Sequence, residues 1–247
     1  MMKLGKQPAT KDPRDLRFAA YLTPKLPKPP ATFGHETLYG ADAWGMLGND
    51  DYGDCVFAGA AHETMLWNRV AGKSVDFDPK SVLSDYAAVT GFDPNTGSGD
   101  NGTNVRDALK YRRTTGVKDA HGKRHKIGAF VALEPGDWDH LLAALYLFGA
   151  VGIGIEFPRS AMDQFNAGKQ WSIVKGASIE GGHYIPLVGR RSSVKLVTWG
   201  KCIGMTKSFY LKYCDEAYAI LSPEMLKNGK STEGFDIATL RSDLAAL

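Results

Sequence analysis

The run from Gly48 to Glu63, Gly-Asn-Asp-Asp-Tyr-Gly-Asp-Cys followed by Val-Phe-Ala-Gly-Ala-Ala-His-Glu, constrains this chain more than any other stretch. A loop rich in Gly and Asp hands over directly to an amphipathic helix, with Cys55 in its first turn. The N–H groups of a first turn have no partner inside the helix, and that end carries partial positive charge. A thiol placed there is biased toward thiolate, the form that attacks a carbonyl carbon. Asp54 reads as the N-cap, a structural role worth about 1 kcal/mol. Asp50, Asp51 and Asp54 bring negative charge that raises a thiol pKa and opposes the helix end.

Composition sets the frame for that thiol. The chain has 247 residues, 43% hydrophobic and 23% charged, an ordinary balance for a globular protein of one large domain or two small lobes. Three widely spaced cysteines do not make a disulfide framework, so free thiols and a reducing or redox-neutral site of folding are expected. Cys202 and Cys214 stand at no metal-ligand spacing and read as structural thiols. The longest apolar run, residues 141–155, is broken by Gly149, Gly152 and Gly154, and is too short to span a membrane. Lys3 and Lys6 precede no apolar segment, so no secretory signal is expected and synthesis in the cytoplasm is.

The net charge of +3 is unevenly spread. Residues 1–31 carry seven Lys and Arg against Asp12 and Asp15, a net of +5, which leaves the rest of the chain at −2. This Pro-rich leader reads as a solvated tail or a strap across the fold, with an arm that docks a protein partner as the sharper alternative. No dense basic stripe with interleaved aromatics occurs in the body, so nucleic acid is not an expected partner, nor is a membrane.

Periodicity divides the remainder. Helices are expected over 55–71, 81–89, 103–115 (Thr103 as N-cap) and 138–148. Strands are expected over 127–133, 151–157, 183–188, 194–199 and 217–221. Helices first and strands later predict an α+β chain: arm 1–31, helical lobe 32–126, strand-rich and barrel-like lobe 127–247.

A thiol nucleophile needs a base within hydrogen-bond reach. His62 lies seven residues on, at nearly the azimuth of Cys55 but about 10 Å along the helix, and reads as a surface or partly buried residue. His121 and His125 fall in a basic loop and read as solvated, and His140 as a surface residue. His183 differs. It follows Glu180-Gly181-Gly182 and opens an apolar strand, and the paired glycines allow another backbone or a substrate to come close. The aromatic-glycine end of a second strand, Trp199-Gly200, offers a shield for an imidazole.

In combination these segments resemble the papain-like cysteine peptidases (the C1 family), particularly bacterial and phage-borne relatives without a classical pro-region. Asn49 to Ala61 is similar to the family's oxyanion residue, loop and cysteine helix, with Asn49 six residues before Cys55. The stretch from Asp100 to Leu109 resembles the Gly-rich substrate loop and the helix after it. Gly181-Gly182-His183 resembles the strand of the catalytic histidine, Thr198-Trp199-Gly200 the Asn-Ser-Trp-Gly segment, and residues 215–220 the closing strand.

The resemblance implies a two-lobe fold with Cys55 as nucleophile, His183 as base and then acid, and Asn49 with the Cys55 N–H as oxyanion donors. Asn101, Gly102, Gly182 and Trp199 would line the substrate groove, and no metal or cofactor is implied. The loop at 93–104 misses the EF-hand pattern. Two positions depart from the family: Asn49 stands for a glutamine, and Val197 for the asparagine that orients the histidine. Thr198, next to it, is expected to point to the opposite face of its strand. The expected activity is hydrolysis of peptide or isopeptide bonds. The alternatives are a papain-fold body with weak or lost catalysis in a structural or binding role, for example in a phage particle, and a cell-wall amidase or endopeptidase. A groove between Cys55 and His183 is expected, and whether the N-terminal arm or a neighbouring subunit fills it is left open by the sequence.

Overall fold

The computed structural model describes residues 2–21 and 28–225, and the last 22 positions of the expected strand-rich lobe lie outside the described residues. A short strand β1 (Phe33–Gly34) precedes three helices, α1 (Cys55–Val70), α2 (Pro79–Thr90) and α3 (Val105–Thr114). A two-stranded ribbon, β2 (Val117–Lys118) and β3 (Arg124–His125), follows. Then come β4 (Ala129–Leu133), α4 (Trp138–Phe148), β5 (Val151–Pro158), α5 (Arg159–Asn166) and β6 (Ile179–Arg190). The described chain closes with β7 (Val194–Thr198), β8 (Lys201–Met205), α6 (Lys207–Tyr213) and β9 (Cys214–Leu221). Among the described residues no helix is long and apolar enough to cross a membrane.

Local chemistry explains the helix boundaries. Asp78 and Ser81 form a reciprocal capping box at the start of α2, Pro79 takes a first-turn position whose N–H has no partner in any case, and Gly91 ends the helix in the left-handed region. Asn104, rather than Thr103, caps α3 by accepting from Arg106 N at 3.0 Å. Asp54 occupies the N-cap position of α1, but its side chain makes no capping bond. Helix α1 was expected to be amphipathic. Instead it is buried on every side from Cys55 to Asn68, because α2, α3 and β6 surround it. Its small residues permit this close packing: a Cβ at Gly59 would stand 2.7 Å from the Tyr184 ring.

Seven strands form one antiparallel sheet, ordered β4-β9-β5-β6-β7-β8, with β1 added on β6. It is an open sheet and not a closed barrel. Period-2 alternation makes it the wall between two cores. Ile185 and Leu187 of β6 join one core with α4, α5 and α6, while Tyr184 and Val188 join the other with α1, α2 and α3. Helices α5 and α6 and strand β8 are absent from the periodicity reading.

From residue 2 to residue 17 the leader is a strap. Leu16 O accepts from Ala132 N at 2.8 Å, and Arg106 of α3 clasps Asp15 with two bonds of 2.7 and 2.8 Å and Asp12 at 2.9 Å. Residues 22–27 are outside the described residues.

Candidate active site

Cys55 is the first residue of α1, and its sulfur meets β6, where it accepts from Tyr184 N–H at 3.4 Å. The wall behind this contact is braced by charge. The Tyr184 hydroxyl donates to Glu63 at 2.8 Å, and Glu63 pairs with Arg112 of α3 at 2.7 Å, all three side chains being buried. One turn of polar and ionic contacts therefore joins α1, α3 and β6 at fixed spacing.

His183 sits one residue before Tyr184, so its side chain points to the opposite face of β6. There it is boxed by aromatic rings: Trp199 stacks on it at 4.5 Å, and Phe157 and Trp171 approach edge-on at 5.6 and 6.5 Å. Trp199 is held over the imidazole by a turn. The two-residue connection Trp199-Gly200 between β7 and β8 has positive φ at both positions, 43° and 73°, the form that matches the twist of a tight hairpin. A bulky residue in that region carries strain of about 1–3 kcal/mol.

Nε2 of His183 lies 2.8 Å from Thr198 Oγ1. This corrects the expectation that Thr198 faces away. Leu187 of β6 pairs with Leu196 of β7, so residues two and four steps along on each strand share that face, which puts Thr198 on the side of His183. Val197, the family's asparagine position, points instead into the core of α1. With the proton on Nε2 donated to Thr198, Nδ1 is left bare, and it is buried with no hydrogen-bond partner. Thr198 is the residue that sequence reasoning missed, and the strand register is the signal that finds it.

Asn49, Cys55, His183, Thr198 and Trp199 line one small cavity, with His62, Tyr184, Pro186 and Val197 also in its wall. His62 is fully buried, not at the surface. Its Nε2 sits 3.0 Å from both Trp44 O and Gly45 O, so it holds the loop that precedes Asn49, and burial lowers its pKa to about 4. Residues 3–7 of the leader run through the groove beside it.

Lys3 N–H donates to Asn49 O, and Lys3 O receives Asn49 Nδ2 at 3.4 Å and Trp199 Nε1 at 3.3 Å. Tyr52 O takes a further Asn49 Nδ2 bond at 3.0 Å, which fixes the amide's direction. Gly5 N–H faces the Cys55 thiol, and Gly5 O accepts from Thr103 N at 2.7 Å. Lys6 N donates to Gly182 O at 3.0 Å, Gln7 N to Thr103 O at 3.0 Å, and the Gln7 amide to Asn101 O and Gly102 O at 3.2 Å each. A Cβ on Gly102 would collide with the Gly5 carbonyl, and one on Gly182 with the Lys6 carbonyl. The two glycines are what allow backbone to lie against backbone.

Burial under this strap sets the electrostatics. The Cys55 thiol is pushed up to about 12, first by desolvation and further by Asp54, against the lowering effect of the Tyr184 and Gly5 N–H groups. Desolvation alone drops His183 to about 3. Asp54 is itself pushed well above the usual carboxylate range by burial, with both oxygens lacking hydrogen bonds. The helix-start bias expected for the thiol is thus outweighed, and the pair rests as neutral thiol and neutral imidazole. Burial also raises Cys202, to about 11, and Cys214.

By sequence, no family model and no curated protein matches the chain. Solved structures do match it. Xylellain, a cysteine protease from Xylella fastidiosa, aligns with a TM-score of 0.66 over 90% of this chain and 96% of its own, at 17% identity. Procathepsin B S9 from Trypanosoma congolense gives 0.63 over 89% and 86% at 12% identity. Digestive procathepsin L 3 of the Tenebrio molitor larval midgut gives 0.58 over 84% and 74%, also at 12%. The fold is papain-like. In this papain-like fold all seven residues singled out from the sequence converge on one groove. Six of them, all but His183, touch the strap through hydrogen bonds or, for the two glycines, through backbone contact as well.

Proposed function

We propose that this chain is a papain-fold thiol hydrolase acting on peptide or isopeptide bonds and kept latent by its own leader. One observation carries the reading: a peptide segment, residues 3–7, is already held along the groove by the oxyanion, glycine-loop and histidine-strand residues. Those contacts are main-chain in kind, so they serve any extended peptide.

With the strap displaced and water readmitted, the desolvation that separates the two pKa values is relieved. His183 Nδ1 then takes the thiol proton, and Cys55 Sγ bonds to the substrate carbonyl carbon. The oxyanion gathers the Cys55 N–H and the Asn49 amide, which already receives a peptide carbonyl from Lys3. Collapse breaks the C–N bond as His183 returns the proton to the leaving nitrogen, and water hydrolyses the thioester by the same relay.

Release of the strap tests this. In Gly5→Ala the new Cβ collides with Gly53 O, so the segment is driven off without altering any residue of the relay. Cys55 should then alkylate at pH 7 about 1,000-fold faster than in the wild type, the gain expected as a thiol near 12 returns toward ordinary values. Fluorogenic peptides should be cleaved, and Cys55→Ala or His183→Ala should abolish cleavage. Fast labelling without turnover, indifferent to His183→Ala, would sink the hydrolase reading. It would favour a papain-fold body with lost catalysis, whose freed arm docks a protein partner; the neutral Cys55 and the His183 Nδ1 that has no hydrogen-bond partner among the described residues are what speak for that reading.

A further inference from the structure

Among arm residues 2–12, Lys6 alone has a fully buried side chain; Lys3 is exposed, and Leu4 and Gln7 are half-buried. Burying an ammonium is costly unless each donor is met. Here the three N–H donors have three acceptors within reach: Asp215 Oδ2 at 2.8 Å, Gln7 O at 3.0 Å and Glu216 Oε1 at 3.1 Å. The stem of Lys6 crosses Gly154 of β5, where a Cβ would take the space of its last two methylenes. Glu216 is 5% exposed and its second oxygen has no hydrogen bond, and Asp215 Oδ1 is likewise buried without one. Two adjacent carboxylates at the start of β9, one deeply buried, thus share one ammonium supplied by a side chain of the segment lying in the groove.

We propose that Asp215 and Glu216, above the Gly154 floor, form a recognition pocket for a lysine side chain, and that the peptide taken up when the strap leaves carries a lysine where Lys6 now sits. The inference rests on the hydrolase reading for what happens next, but the pocket stands without it. The reason is a division of labour along the groove. The backbone contacts of residues 3–7 are blind to side-chain identity and the Gln7 amide contacts are half-exposed, so selectivity falls chiefly to the one side chain that is swallowed whole. An empty pocket holds two close acids that repel one another, and an apolar guest leaves them unpaired. An acidic guest adds a third negative charge. A lysine cures both, and it alone among common side chains combines a slim stem that fits over a bare glycine with a compact three-donor head. A site built to hydrogen-bond a polar group rejects the analogue that lacks it more strongly than a hydrophobic pocket rejects a missing methylene.

The test uses the full chain and reads Cys55 labelling by a thiol reagent, which requires no turnover. Lys6→Met should open the strap and raise the Cys55 labelling rate about 100-fold, whereas Lys3→Met should leave it unchanged. Unchanged labelling in Lys6→Met would overturn the proposal. A synthetic peptide with the sequence of residues 2–12 should then protect Cys55 of Lys6→Met at about 100-fold lower concentration than the same peptide with norleucine at the Lys6 position. The preference should vanish in Asp215→Asn/Glu216→Gln. Equal protection by the two peptides, or a preference that persists in the double amide, would overturn the pocket. Should Lys6→Met fail to fold, Gly5→Ala opens the strap with lysine and both acids in place and supports the same peptide comparison. A lysine preference with no hydrolysis of either peptide overturns only the hydrolase reading.

Discussion

His125 and His183 are buried to nearly the same degree, with 3% and 1% of their surface left, yet they titrate in opposite directions. His183 stands among aromatic rings with one hydroxyl neighbour, and desolvation takes it down to about 3. His125 is also penalised by burial, but Glu224 at 2.6 Å and Asp119 at 3.1 Å more than offset it and raise its pKa. The sequence reading as a solvated loop residue is thereby corrected. Its neighbours Lys123 and Arg124 are exposed, and the alternation of β3 turns His125 alone inward, where it ties the ribbon to the turn after β9. Burial sets the cost of a charge, and the neighbours decide whether the charge is kept. One histidine is a structural clamp between two carboxylates, and the other is a neutral group buried beneath the strap and among aromatic rings.

The largest effect is expected on His183. In Gly5→Ala its NMR titration should move from about 3 toward the ordinary imidazole range near 6.5, a change of about 1,000-fold in proton affinity, while His125 does not move. A His183 that still fails to titrate above pH 5 in a chain whose Cys55 has become reactive would show that the aromatic box, and not the strap, desolvates it.

The next effect is on stability. His125→Gln leaves Glu224 and Asp119 facing one another without their cation and should cost about 3 kcal/mol in urea unfolding at pH 5.5. The pH dependence follows from the shifts. The folded pKa of His125 is raised, so its contribution is complete below its unfolded value near 6.5 and fades as pH climbs through the folded value. Asp119 and Glu224 are lowered against burial by His125, so theirs is present above about 4 and is lost as pH falls through their folded values. The gap between wild type and His125→Gln should therefore be widest between about pH 4 and 6.5 and narrow by pH 9. A gap that grows with alkalinity would refute the charged clamp.

The smallest effect concerns how His183 is oriented. Thr198→Val keeps the shape and removes the only hydrogen-bond partner of Nε2, which should cost about 1 kcal/mol of stability. If the opened chain is the hydrolase proposed above, Thr198→Val should lower kcat by about 10-fold with KM unchanged, and Thr198→Ser should restore it. Val197→Asn, which restores the family's residue on the wrong face, should not rescue Thr198→Val. Because that side chain enters the α1 core, the substitution should destabilise by about 2 kcal/mol. Rescue by Val197→Asn would mean that the strand register reads differently in solution.

Much of this was legible in the sequence because the signals were local. The 3.6-residue stripe after Cys55, the proline and glycine at the ends of α2, and the alternation of β6 and β7 each depend on residues a few positions apart. Asn49, Cys55 and His183 were found from their company in the chain, and they do line one cavity. What the sequence hid was everything set by long-range pairing. Thr198 was assigned to the wrong face because one strand alone does not disclose which of its two faces a neighbour's histidine shares; the Leu187–Leu196 pairing does. The basic leader looked like a solvated tail or strap, and nothing within it announces that Lys6 meets Asp215 and Glu216 more than 200 residues away.

The sequence by itself determined the nucleophile's place at a helix start, the glycines that let a peptide backbone lie close, and the order of elements that builds a helical layer on an antiparallel sheet. Those follow from steric and hydrogen-bonding rules that act over one turn or one strand. The tertiary structure decided the state of the site. Whether a thiol at a helix start is a thiolate depends on water, and the strap that covers Cys55 and His183 is held there by contacts with residues far along the chain, among them Asn49, Thr103 and Gly182.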